Sequence, residues 1–506
     1  MSFTPTPRYL GDLIANIDPA PDRPILAYGD PATVITGITQ DTRRLQRGDL
    51  FVAIPGFDRD GAQFIAEAIA RGATAIAAEE SPRQGVPVVR VQNARRALAD
   101  LAAAFYGHPS RRLPVVGITG TDGKTSTTHL LSGILEAHGL RTGWLTTVNT
   151  KIGAEVRSNA ADHTTPEAPL VQRTLAEMVA AGLDVALLET SSHALELERV
   201  RAIQFRVGIF TNLSPEHINF HGSFGAYLAA KRKLFERLPA DGLAVLNADD
   251  PNSAAMRAAT RARALMYGLD SVADFTACNI RLSATGTTFT LLPADVEVHS
   301  QLVGRFNVSN WLAAYAAATS FGATPPDLIS AAASQAPVPG RMNLVNQGQP
   351  FAVVVDFAHT PQALEKALDT VRSLVTGRVL LAFGLAGGRD DGNRAAMGAL
   401  AARKADYFVI TMDDPGHEDA ATIAAQIAAG AHSAGAEAGQ RFTTELDRRA
   451  AIRTLLERAQ PGDAVLLAGK GHEQRMVVGD ERRSWNDARA ASELLVELGF
   501  QIHAVP

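Results

Sequence analysis

The chain has 506 residues, 46% hydrophobic and 20% charged, and at roughly 150 residues per domain it is too long for a single hydrophobic core. That balance excludes a disordered or fibrous chain. Against 53 Asp and Glu stand 48 Lys and Arg, a net charge of −5, which argues against nucleic acid or an anionic membrane as the partner.

Short β-rich runs at 50–54, 73–78 and 88–91 alternate with a helical stretch at 62–71 and predict a small α/β unit. Beyond the prolines at 109 and 114, a buried strand at 115–119 feeds a Gly-rich turn and a helix at 124–138, and apolar strands recur at 185–188, 207–210 and 244–246. Strands at 352–356, 379–383, 407–410 and 464–468 then alternate with helices. The expectation is three α/β domains: an N-terminal one over 1–112, a central P-loop ATPase with a mostly parallel sheet over 113–337, and a doubly wound, Rossmann-like one over 338–506. The single cysteine, Cys278, cannot form an internal disulfide, the first ten residues have no signal-peptide core, and no apolar run is of membrane-span length. A cytoplasmic protein that does not enter the membrane is expected.

The strongest local signal is Gly120-Thr121-Asp122-Gly123-Lys124-Thr125-Ser126, between strand and helix. In that setting backbone N–H groups cradle phosphates, Lys124 supplies a point charge and the Thr125 hydroxyl reaches Mg²⁺. The strict pattern has a glycine five residues before Gly123, where this chain has Ile118, so an ordinary Gly-rich turn is the alternative. No Asn-Lys-x-Asp guanine reader follows. Glu189 ends a buried strand, placing a carboxylate where open sheets bind ligands; it suits a hard metal or a cap on the next turn. The string Thr211-Asn212-Leu213-Ser214-Pro215-Glu216-His217-Ile218-Asn219-Phe220-His221 and Lys231 on the following helix add a second polar cluster. Singly these residues suit structural roles; together with Glu189 they point to a site.

With these strings the chain resembles the Mur ligases nearly end to end, most closely the branch that adds the third residue of the peptidoglycan stem peptide. Asp41-Thr42-Arg43 and the run from Gly48 to Ile54 resemble the family's UDP-binding domain, and the 120–125 loop its ATP loop. Thr164, Thr165, Ser191 and Arg199 match positions that hold the muramoyl-dipeptide, with Leu197 where glutamine is frequent. Lys231 matches the lysine the family carbamoylates (N6-carboxylysine), which with Thr125, Glu189 and His217 then ligates Mg²⁺; Asn219 stands where Asp is usual. Asn307, Asn310, Arg341, Asp356 and His359 match ATP contacts. The resemblance implies a reaction in which ATP phosphorylates the free D-glutamate carboxylate of a UDP-N-acetylmuramoyl-dipeptide and a free amino acid attacks the acyl phosphate. Lys124, Glu189, His217 and Lys231 are the implied catalytic residues. A monomer is expected.

The third domain is expected to choose the amino acid. Family members that use meso-diaminopimelate carry Asp-Asn-Pro-Arg, whose arginine reads the distal carboxylate. Here the string is Asp413-Asp414-Pro415-Gly416, and Gly469 and Glu473 lie in Gly469-Lys470-Gly471-His472-Glu473. Loss of the arginine and gain of an acid favour a side chain ending in ammonium, L-lysine or L-ornithine, over meso-diaminopimelate, with Arg389 left for the α-carboxylate. The same residue types suit a plain turn. The other readings are a folylpolyglutamate- or cyanophycin-type amide ligase, against which Asp41-Thr42-Arg43 and Thr164-Thr165-Pro166 argue, and a non-catalytic nucleotide-binding protein.

Overall fold

The computed structural model describes residues 3–17, 23–56, 59–80, 85–159, 164–283, 286–388 and 391–501. Its centre is the strand Val115–Thr119, five buried residues in a row, as a parallel strand covered on both faces must be. Alternate side chains leave in opposite directions. Val115 packs with Leu113 and Phe205 on one face, Val116 with Leu130 and Ile134 of the following helix on the other. The strand pairs in parallel with Val185–Glu189 and Phe205–Phe210, Val116 lying opposite Leu187 and Val207. Thr142–Leu145 extends this sheet on one side and Leu243–Asn247 and Arg263–Tyr267 on the other. The antiparallel hairpin Asn149–Ile152 and Glu155–Ser158 completes eight strands.

A second sheet of six strands has Ala464–Ala468 between Ala352–Asp356 and Val379–Phe383, all parallel. Its alternation is equally strict, with Ala464, Leu466 and Ala468 in one core and Val465 and Leu467 in another. On one face the helices Gly392–Lys404 and Ala420–Ser433 touch backbone to backbone. A Cβ at Gly398 would lie 1.9 Å from the Ile427 carbonyl oxygen and one at Gly430 2.0 Å from that of Ala395. In both sheets the C-terminal strand ends point loops at a common cleft, the place where open α/β sheets bind ligands.

The expected three α/β units and mostly parallel sheets are observed, and several details differ. The first sheet has five strands, because Ile25–Tyr28 and Gly37–Thr39 join it outside the run read from the sequence. The helix expected at 62–71 starts as a 3₁₀ turn, Gly61–Phe64, which the Asp60 carboxylate caps by accepting from Ala62 N–H, and becomes α-helical only at Ile65–Ala70. A three-stranded antiparallel sheet, Thr276–Ser283, Gly286–Leu292 and Val296–Ser300, packs Phe289, Leu291 and Val298 onto the central core. Among the described residues no helix is long and apolar enough to cross a membrane.

Candidate active site

The turn after Val115–Thr119 is fixed before any ligand enters. Gly120 passes so close to Thr211 that a Cβ would lie 1.8 Å from its hydroxyl oxygen, and Gly123 sits at φ +83, a left-handed conformation that suits glycine. The Thr211 hydroxyl and the Asn212 side-chain amide donate to the Asp122 carbonyl at 2.6 and 3.1 Å, while the Asn212 side-chain oxygen accepts from Asp122 N–H at 3.0 Å. Helix Lys124–Ala137 starts there, with its first N–H groups free of intrahelical acceptors. Ile118 is a core residue of the strand, so the loop begins at Gly120, two residues after the place of the strict pattern's first glycine.

Two amines meet at one carbonyl. Lys124 Nζ donates to the oxygens of Gly120 at 3.0 Å and Thr121 at 2.7 Å, and Lys231 Nζ donates to Gly120 O at 2.7 Å. Lys231, on helix Phe224–Glu236, is 2% exposed and lies 4.6 Å over the Tyr227 ring. Burial, then the charge of Lys124, lowers its pKa well below that of an ordinary lysine. Glu189, fully buried, accepts from Thr147 N–H at 3.2 Å and from the Thr147 hydroxyl at 2.8 Å. Thr165 donates to the Glu189 carbonyl at 2.7 Å and accepts from Ser191 N–H at 3.1 Å, and Ser191 caps the short helix Ser192–Glu196.

These groups surround a cavity of about 540 Å³ that Gly120 to Thr125, Thr164, Glu189, Ser191, His217, Lys231, Arg341, His359 and Glu473 all line. A neighbouring cavity of about 400 Å³ shares Asp122, Gly123, Thr125 and Arg341 with it and adds Ser126, Asn310 and Asp356. Arg341 stacks 4.5 Å over Phe357 and reaches Thr125 Oγ1 at 3.5 Å. Asp356 accepts from Met342 N–H at 2.8 Å; burial raises its pKa against the pull of Arg341. Asn307 lies behind the wall, bonding Val303 O at 2.8 Å and receiving Asn310 Nδ2 at 3.2 Å.

A smaller cavity, about 40 Å³, opens from the first through Glu216, His217, His359 and Glu473 and is walled by Asp413, Asp414 and Gly469. Here the two large sheets meet. His359 Nε2 lies 3.1 Å from Glu216 Oε1 and its Nδ1 2.8 Å from Phe357 O; His217 Nε2 lies 3.5 Å from the same Glu216 oxygen. Burial alone would raise the Glu216 carboxyl, but the His359 hydrogen bond and the charges of His217, His359 and Lys124 hold it well below the usual carboxylate range. Asn219, in place of Asp, donates to Gly388 O at 3.4 Å across the same seam.

Besides Asn307, and Thr165 behind Ser191, four expected contacts stand apart from these cavities. Thr42 is buried in the first unit. Arg199 is spent inside the fold, paired with Glu167 at 2.7 Å and donating to Thr165 O at 3.0 Å. Pro415 and Gly416 form a turn bound to the hairpin Arg475–Val478 and Glu481–Ser484, Gly416 N–H donating to Val477 O at 3.2 Å. Arg389 lies outside the described residues. The acids are also less free than the sequence suggested, for Lys470 Nζ is 2.7 Å from Asp414 and 2.5 Å from Glu473. Thr147, Asn212, Glu216 and Lys470 are site residues that sequence reasoning did not assign. The last three stood in strings already singled out, but Asp122, His359 and Asp414, with which they bond across the site, are remote in sequence.

Comparison with known proteins settles the family. Residues 34–106 match the "Mur ligase family, catalytic domain", 118–318 the "Mur ligase middle domain" and 340–471 the "Mur ligase, glutamate ligase domain". A Roseiflexus sp. protein named "UDP-N-acetylmuramyl-tripeptide synthetase" is 43% identical over 486 residues, 92% of this chain and 95% of its own. The chain belongs to the Mur ligase family. Its relatives divide by name. A Deinococcus radiodurans protein, 44% identical over 96% of this chain and 99% of its own, is also a "UDP-N-acetylmuramyl-tripeptide synthetase". One from Geobacillus kaustophilus, 42% identical over 92% and 96%, is a "UDP-N-acetylmuramoyl-L-alanyl-D-glutamate--2,6-diaminopimelate ligase". A solved structure of a ligase with that second name superposes with TM-score 0.66 at 28% identity, over 97% of this chain and 99% of its own. As a Mur ligase this protein is an ATP-dependent enzyme that forms an amide bond.

Proposed function

We propose that this Mur ligase joins a diamino acid, L-lysine or L-ornithine in preference to meso-diaminopimelate, to UDP-N-acetylmuramoyl-L-alanyl-D-glutamate in peptidoglycan precursor synthesis. The observation that carries the reading is the acceptor pocket, walled by Asp413, Asp414 and Glu473, with glycine at 416 where an arginine would have to stand to read a second carboxylate. Asp413, Asp414 and Glu473 face one internal ammonium, and although burial raises the Glu473 pKa against the pull of Lys470, the acids outnumber that ammonium, which suits an ammonium-ended acceptor and opposes a second carboxylate. The Geobacillus relatives are named for 2,6-diaminopimelate, which supports that acceptor as the second reading.

The work divides among the three units, proposed as 1–112, 113–337 and 338–506. The first, with Thr42, takes the uridine nucleotide. ATP lies along the 120–126 loop toward Asn310, Arg341 and Asp356, where Lys124 and Arg341 offset the charge of the phosphates and of the donor carboxylate. Thr164, Thr165 and Ser191 set the dipeptide beside Glu189. A D-glutamate carboxylate oxygen attacks the γ-phosphorus and ADP leaves; the acceptor amine attacks the resulting acyl carbon and phosphate leaves.

Mg²⁺ suits these residues. Thr125 Oγ1 and the Glu189 carboxylate are hard oxygen donors on one cavity, and the buried Asp122 Oδ2 beside them has no protein hydrogen-bond partner. Thr125, Glu189, His217 and a carbamoylated Lys231 would hold the ion, which supplies charge neutralisation at the phosphates. As an ammonium Lys231 does not fit a cation; as a carbamate it does. The test is incorporation of radiolabelled lysine, ornithine and diaminopimelate, one at a time, with ATP and the UDP-dipeptide. Fastest turnover with lysine or ornithine is expected, and exclusive use of diaminopimelate reverses the preference.

A further inference from the structure

We propose that Lys470 is a positioning and specificity-determining residue of the acceptor pocket: it engages Asp414 and one oxygen of Glu473, and leaves the other Glu473 oxygen and Asp413 to read the acceptor's side-chain ammonium. The proposal rests on the diamino-acid reading above.

Lys470 follows strand Ala464–Ala468 and its side chain is 0% exposed, so it never meets the acceptor itself. Its Nζ lies 2.7 Å from Asp414 Oδ1, 2.5 Å from Glu473 Oε2 and 3.5 Å from Asp413 Oδ1. The three carboxylates offer oxygens within 4.8 Å of one another, the spacing of a cation cage, and the cation in that cage is the protein's own ammonium. Burial opposes the charge on Lys470, but the surrounding carboxylates outweigh it and hold its pKa above the ordinary lysine value. Two arginines are near, Arg394 on the pocket wall and Arg448 within range of Asp413 and Glu473, but each is bonded to a carboxylate of its own. Arg448 is held by Asp487 at 2.8 and 2.7 Å, and Arg394 by Glu418 at 2.6 and 2.8 Å.

The acids consequently have unequal roles. Asp414 Oδ1 accepts both from Lys470 and, at 2.9 Å, from Val477 N–H, so it ties the acceptor loop to the 475–484 hairpin. Glu473 keeps 30% side-chain exposure and borders both the acceptor cavity and the larger one. Asp413 Oδ2 lies 2.6 Å from where a Cβ at 469 would be, an approach that Gly469 alone leaves open. Without the Lys470 ammonium the cage is a trap in which an acceptor ammonium settles too deep, drawing the α-amine away from the acyl phosphate.

The test is steady-state kinetics of Lys470→Met with the amino acid that the wild type uses fastest. This choice keeps the experiment readable whichever diamino acid that is, and a lysine-ornithine preference disproved in the wild type is a separate result. The expected outcome is a fall of about tenfold or more in kcat/KM for the amino acid, the cost of a misplaced attacking amine. The KM values for ATP and the UDP-dipeptide stay within about twofold. Lys470→Met/Asp414→Asn, which removes one charge of each sign, gives a folded control by thermal melting and shows the same selective loss. Unchanged kinetics, or equal losses for all three substrates in a folded variant, overturns the proposal.

Discussion

Lys231 shows what a single residue reveals and hides in the sequence. Its place in Ala229-Ala230-Lys231 was legible, as were Glu189 and His217, because each lies in a short string at the end of a strand or on the next helix. The conditions that make it useful were not: full burial, a shared carbonyl with Lys124, and a depressed pKa that favours the neutral amine, the form that adds carbon dioxide. Lys231→Ala is expected to lower ligase activity by about a hundredfold or more. Added acetate or formate should restore part of it, as an assay of ADP release with all three substrates can check. Full activity in the variant would remove the carbamate from the mechanism. The residues that escaped sequence reasoning share one trait. Thr147 serves Glu189 from 42 residues away, Lys470 serves Asp414 from 56, and His359 meets Glu216 from 143, separations that no local pattern records.

Among the elements, buried parallel strands were the most legible. Val115–Thr119, Ala352–Asp356, Val379–Phe383, Tyr407–Ile410 and Ala464–Ala468 fall where the apolar runs placed them, since strands covered on both faces must be apolar throughout. Gly37–Thr39 was missed because three residues show no period, and Glu155–Ser158 because all four side chains are exposed. The nucleotide loop depends on backbone proximity rather than on hydrophobicity. Gly120→Ala would push a methyl group into Thr211, whose hydroxyl holds Asp122. A displacement of about 1 Å in a phosphate-binding loop is expected to cost roughly a hundredfold in activity. Equilibrium nucleotide binding should fall with it while the melting temperature changes little, and unimpaired nucleotide binding would show that the loop tolerates the side chain.

In the whole molecule the two larger sheets face each other across a seam that His359 and Glu216 close. Replacing His359 by leucine takes the hydrogen-bonded partner from a buried carboxylate and leaves it the longer His217 contact, which is expected to cost about 2–3 kcal/mol against urea unfolding. Glu216→Gln added to it should recover most of that loss, and a double-mutant cycle measures the coupling. An additive cycle would mean that the pair does not hold the seam. Three α/β units were predictable from the alternation of runs; how they lean together was not, because the contacts join residues of separate cores. The glycines at 398 and 430 carry a mechanical consequence. Helices Gly392–Lys404 and Ala420–Ser433 touch through their backbones and have no side-chain layer to slide on, so they behave as one beam. The segment with Asp413 and Asp414 is strung between strand Tyr407–Ile410 and the first turn of the second helix of that beam, held at one end by the sheet and at the other by the beam. It has little freedom to widen for a bulkier amino acid, so a change of diet in this ligase has to come from new side chains at the rim.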